Sequence, residues 1–139
     1  MATVQNELDF DFARSPADKM LFLKHIQSEL NEIRQEVAEV NTSDDEIDPI
    51  PVSAYDEAAL LLEAFFDQGV PMPHIGWAED GSLGFEWRPE GGIATMGIYG
   101  DNLVIYGVFF EKNRQVDGVC PLSDTALLGN FLETLRQLL

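Results

Sequence analysis

The sequence predicts an α+β fold, in which an antiparallel meander of four to five strands carries two helices on one face and is preceded by a heptad-patterned helix. Three observations lead there. Between Pro73 and Cys120, short apolar runs are separated by turn residues at nearly every break. Helical patterns lie only before and after that stretch, the segregation that distinguishes α+β from alternating α/β chains. The 139 residues, 45% of them hydrophobic, suffice for one ordinary core and exclude wholesale disorder.

Taken in order, residues 1–14 read as a flexible tail in which Leu8, Phe10 and Phe12 alternate with Glu7, Asp9 and Asp11. Such a pattern suits either a terminal strand of the chain's own sheet or an acidic-aromatic motif that adds to a partner's sheet edge. Ser15 caps and Pro16 opens a helix over 15–40. Its apolar residues Leu23, Ile26, Leu30, Ile33, Val37 and Val40 recur at intervals of three and four, the narrow seam of a coiled coil. Glu29 and Arg34 flank that seam at pairing positions. Two readings stay open: these six residues form a homodimer interface, or the helix packs on its own sheet.

Residues 41–52, NTSDDEIDPIPV, combine acids with two prolines and read as an acidic linker to an α+β domain over 53–139. Ser53, with Asp56 three residues on, starts a second helix that ends at Gly69, and Tyr55, Ala58, Ala59, Leu62, Phe65 and Phe66 form its apolar side. That side should lie on Trp77, Phe85 and Trp87.

The turn Glu79-Asp80-Gly81 admits two loop lengths, and the side-chain pattern selects the three-residue loop with Gly81 in the left-handed region. This pairs His74 with Glu86, Ile75 with Phe85 and Trp77 with Leu83, separating an apolar from a polar face. A loop at Pro89-Glu90-Gly91-Gly92 keeps the division by setting Trp87, Phe85 and Leu83 opposite Ala94, Met96 and Ile98, which leaves Glu86 opposite Thr95. Leu103 to Phe110 is apolar on both parities, so this strand should be covered on both faces, by the heptad helix or by a symmetry mate. Gln115 to Cys120 is either a fifth strand or a turn. After Pro121-Leu122-Ser123-Asp124 a last helix, Thr125 to Leu139, places Leu128, Phe131, Leu132, Leu135 and Leu139 on one side, with Arg136 complementing the helix dipole. The segment DGSLGFEWRPEGG, with the YG-containing strands after it and a leucine-rich terminal helix, resembles a pattern of short uncharacterised bacterial proteins. The resemblance spans roughly residues 55 to 139, implies a small bacterial cytosolic domain, and brings no activity with it.

Charge bounds the function more than any motif does. With 25 acids against 8 bases the net charge is −17, which repels phosphate backbones and anionic bilayers, so neither nucleic acid nor a membrane surface is expected as a partner. From Gln35 through Trp87 there are 13 acids and no Lys or Arg, which suits either simple solubility or a basic protein partner. The N-terminal MATVQNELDFDF lacks the basic flank and apolar core of a secretory signal, and one cysteine forms no internal disulfide, so the cytoplasm is the expected compartment.

His74, Glu86 and Thr95 are the ligand-binding candidates, since a His-carboxylate pair does acid-base work when it lines a pocket and otherwise is a cross-strand polar contact. No nucleophile accompanies them. Cys120 reads as a small buried hydrophobe. No metal or cofactor is expected, because His25 and His74 lie on different elements and Asp44-Asp45-Glu46-Ile47-Asp48 lacks the spacing of a calcium loop. The expected function is a non-enzymatic protein-interaction module of the adaptor, immunity or antitoxin-like kind; the alternative is a small-ligand-binding protein or enzyme using His74 and Glu86.

Overall fold

The computed structural model describes residues 16–43, 47–111 and 115–138. The alternating segment at Leu8, Phe10 and Phe12, the Ser15 cap, the acids at 44–46 and Leu139 lie outside the described residues. The chain is α+β, with three helices and a five-stranded antiparallel meander in the order β1-β2-β3-β4-β5. The strands are β1 (His74–Ala78), β2 (Ser82–Trp87), β3 (Gly92–Ile98), β4 (Leu103–Phe110) and β5 (Gln115–Pro121); the helices are α1 (Pro16–Ser43), α2 (Val52–Asp67) and α3 (Thr125–Leu138).

The register is the one the side-chain pattern selects. Ile75 opposes Phe85, Trp77 opposes Leu83 and His74 opposes Glu86, while Phe85 opposes Met96 and Trp87 opposes Ala94. Gly81 takes φ 85, and the Asp80 carboxylate accepts from the Ser82 amide at 3.2 Å and the Ser82 hydroxyl at 2.6 Å, which closes the turn. The ambiguity in β4 is resolved by pairing Ile98 with Val104, so Val104 and Val108 are buried and Ile105 faces away. Residues 115–121 form the fifth strand, with Cys120 opposite Val104.

One face of the sheet holds the core. Leu83, Phe85, Trp87, Ala94, Met96, Ile98, Val104, Val108 and Cys120 are buried there beneath Tyr55, Ala58, Leu61, Leu62 and Phe65 of α2 and Phe131, Leu132, Leu135 and Leu138 of α3. Phe65, Phe85 and Trp87 meet edge to face at centroid distances of 5.6 to 6.3 Å, and Phe131 joins Trp87 at 5.9 Å and Tyr106 at 5.3 Å. The buried indole Nε1 donates to Pro71 O at 2.8 Å. Helix α2 ends in a Schellman motif: Gly69, at φ 79, donates to Phe66 O, and Val70 donates to Phe65 O.

Three expectations are corrected. Ser53 does not cap α2; Pro51 stands at the cap position, and the Ser53 hydroxyl donates to Gly100 O at 2.8 Å, across to the β3–β4 turn. Arg136 lies in the last turn of α3, where the sequence places it, and donates in addition to Gln68 O at 3.3 Å, at the carbonyl end of α2. The segment after α1 does not let that helix stand away: α1 runs to Ser43, Ile47 is buried, and the Asp48 amide donates to Glu79 O at 3.0 Å. The largest correction concerns the interface residues. Ile26, Leu30, Ile33 and Val37 are buried in the chain's own core against α2 and β1, with Leu23 exposed at one end and Val40 half-buried at the other. Phe22 stacks on Phe66 at 4.3 Å, Lys19 pairs with Glu63 and Asp67, His25 with Glu29, and the Arg34 guanidinium covers the Tyr55 ring at 4.4 Å. The middle of the seam is closed in this way by the chain itself, and exposed apolar side chains of α1 remain at its start, Met20, Leu21 and Leu23. Spacing of three and four is shared by coiled-coil seams and by narrow stripes on a helix resting on one neighbour, and neighbouring elements decided between them.

Candidate functional site: the open face of the sheet

Antiparallel pairing sets residues in rows across the strands, and the residues that face away from the helices form four rows. The first is His74–Glu86–Thr95–Gly107–Asp117. The second is Gly76–Gly84–Gly97–Ile105–Val119, the third begins Ala78–Ser82 and ends Leu103–Pro121, and the fourth, beyond the first, is Ile93–Phe109–Gln115. Since α1 packs against α2 and β1, no described helix covers these rows. Of the two covers expected for this face, the heptad helix and a symmetry mate, α1 is therefore not the one.

The sheet brings His74, Glu86 and Thr95 together in one row. Glu86, however, is engaged by Arg88, whose guanidinium lies 2.9 Å from the carboxylate. The alternation along β2 puts Arg88 on the same face as Glu86, and what the sequence did not state is that the two side chains meet. Around these groups lies a surface depression of about 590 Å³ lined by Pro71, Met72, His74, Glu86, Trp87, Arg88 and Pro89. It could hold a small anion or a polar side chain, since it combines a cation, a carboxylate and an imidazole over apolar walls.

Across the second row the face changes from concave to convex. Gly76, Gly84 and Gly97 leave bare backbone over three adjacent strands; a Cβ added at Gly76 would meet nothing within 4 Å, and one at Gly84 only Met96 O at 3.9 Å. The resulting trough, about 240 Å³, is also lined by His74 and Glu86. On its other side Tyr99 lies 3.5 Å from that position on Gly97 and donates to Asp80 Oδ2 at 2.9 Å. Beyond Gly97 the row rises into Ile105 and Val119, with Leu103 and Phe109 beside them, and these four are 46%, 56%, 39% and 42% exposed. The trough was legible in the sequence, because the predicted pairing already aligned Gly76 with Gly84 and Gly84 with Gly97. Reading each glycine as a turn or packing device hid it.

Among the described residues, no group of three His, Cys, Asp or Glu is placed to hold a metal ion, and no helix is long and apolar enough to cross a membrane. Cys120 is buried, and burial, with the Asp124 charge adding to it, pushes its thiol pKa up. No protein family, curated protein or solved structure compared with this chain gives a match.

Proposed function

We propose that the chain is a non-enzymatic, cytoplasmic protein-interaction module of the adaptor, immunity or antitoxin-like kind, working from the open face of its sheet. The observation that carries this is the apolar ridge of Leu103, Ile105, Phe109 and Val119, four large side chains left in water side by side on β4 and β5. Contiguous exposed apolar area is destabilising in isolation, at ~25 cal/mol per Å², and on a folded domain it marks a docking surface. The contact of Glu86 with Arg88 supports the same reading, since it turns the carboxylate toward the guanidinium at 2.9 Å.

The charge favours a basic protein as a further partner. Glu29, Glu32 and Glu36 of α1 flank a depression of about 510 Å³ against Met72, Pro73 and His74, and no Lys or Arg is among its lining residues. The test is a photo-crosslinking residue placed at Ile105 in cells, with the same residue at exposed Glu133 as control. A discrete adduct from position 105 and none from 133 is expected; equal labelling at both, or none at either, removes the reading. The alternative, a small polar ligand held by His74, Glu86 and Thr95, is favoured by the depression beside Arg88. It predicts that small carboxylates or phosphates raise the melting temperature of the wild type and not of His74→Ala.

A further inference from the structure

The glycine row of the open face is its own complement. In it the small residues, Gly76 and Gly84, lie on β1 and β2 and the large ones, Ile105 and Val119, on β4 and β5. We propose that a second copy of this chain covers the face, related by a twofold axis that lies parallel to the strands and above β3; this deepens the interaction-module reading and rests on it. Such an axis carries β5 of one copy over β1 of the other and β4 over β2, while each residue keeps its row.

The consequences follow from the observed register. In the glycine row, Ile105 of one copy comes over Gly84 of the other and Val119 over Gly76, so the ridge of each enters the trough of its twin. In the next row Pro121 comes over Ala78, again large over small, while Leu103 comes to the closed cluster of Ser82, Asp80 and Tyr99. In the row of His74, Asp117 comes over the imidazole, and Gly107, with the Phe109 ring lying over it, comes to the Glu86–Arg88 pair, where the ring can face the guanidinium. A partner with this relief on this spacing is supplied by the chain itself. Two sheets related so keep their strands near alignment and pack about 10 Å apart, as sandwiches do.

Size and charge agree. Five strands of about seven residues make a face roughly 24 Å by 20 Å, on the order of 500 Å² before its relief is counted, so two copies would bury roughly 1,000 Å² in total, the lower end for a specific interface. The charged or titratable side chains of these rows and their border include His74, Asp80, Glu86, Arg88 and Asp117. The acids of α1 and α2 belong to elements packed on the other side of the sheet, so two chains of net charge −17 would meet where that charge is lowest.

The test is sedimentation equilibrium on the full chain and three variants. Gly84→Val fills the trough without a backbone penalty, and Ile105→Ala removes the ridge; each should weaken a wild-type dimer at least tenfold in dissociation constant. The double variant should recover to within about threefold, because the two positions touch only between copies, lying about 9.6 Å apart within one chain with β3 between them. Circular dichroism and melting establish that all three are folded. A wild type that is monomeric at 100 micromolar (roughly) overturns the inference, and so does a dimer indifferent to Gly84→Val or not rescued by the double change. The two readings separate cleanly. A monomer whose Ile105 crosslinks to a different protein keeps the module and loses the second copy. A monomer in which removing residues 1–14 exposes a cysteine placed at Val119 to labelling is covered by its own N-terminal segment, and both readings fall.

Discussion

Tyr99 donates a 2.9 Å hydrogen bond to Oδ2 of Asp80, so the carboxylate that closes the β1–β2 turn also holds the residue just beyond β3. The Ser82 hydroxyl first, and Tyr99 after it, hold the Asp80 pKa below the ordinary carboxylate value. A depressed carboxyl stabilises the fold fully above its unfolded pKa of ~3.9 and loses that contribution as pH falls through the lower folded value. Asp80→Asn should therefore lower stability at pH 7 by about 1 kcal/mol or less, solvent screening being considerable at this exposed site. In urea melts followed by fluorescence, the gap to wild type should narrow as the medium is acidified below pH ~4. A gap that widens there would exclude this account.

Gly100 sits at φ 82 where the β3–β4 turn meets the start of α2. A Cβ there would collide with the Ser53 hydroxyl and approach the Ala54 amide to 2.8 Å. Gly100→Ala should cost about 1 to 3 kcal/mol through strained backbone and the lost Ser53 contact. Ser53→Ala alone should cost less, and thermal melts of the two will rank them.

Leu30 and Ile33 bury their side chains between α1 and the rest of the chain. Replacing either with Asp strands a charge in that core and should destabilise by about 3 to 5 kcal/mol. Guanidinium titration by circular dichroism should show a lower midpoint at every protein concentration. A variant that keeps the wild-type midpoint but loses mass in light scattering would instead return the helix to an intermolecular seam.

Cys120 is fully buried opposite Val104, with its thiol pKa raised. A disulfide reagent at pH 8 should leave the native thiol unreacted and titrate it completely once the chain is unfolded. Rapid reaction in native buffer would place Cys120 at the surface and contradict the packing.

The strand pattern was readable because its evidence is local: Gly81 needs the left-handed region, and a shift of one residue would have put Glu86 into the core with Trp77. Helix α1 was less readable. Its spacing states that one narrow side is apolar and says nothing of whether α2 or another chain lies against it. The Ser53 contact was hidden for a related reason, since its acceptor, Gly100, is 47 residues away and local capping rules cannot see it. Of the candidate site, the row His74–Glu86–Thr95 followed from the register, whereas the turn of Glu86 toward Arg88 depended on a residue beyond the ladder.

Every strand of this meander pairs with its neighbour in sequence, so the chain closes its sheet through a series of short loops and no long excursion. Ordering entropy is lost in small instalments, and local pairings of this kind carry a low contact order, which favours rapid folding for a sheet protein. Helix α1 is the exception, since its apolar stripe leaves the ribosome well before β1, the strand it rests on. During synthesis that stripe has α2 as its first cover, and the acids along the rest of α1 keep the nascent chain from sticking to its neighbours.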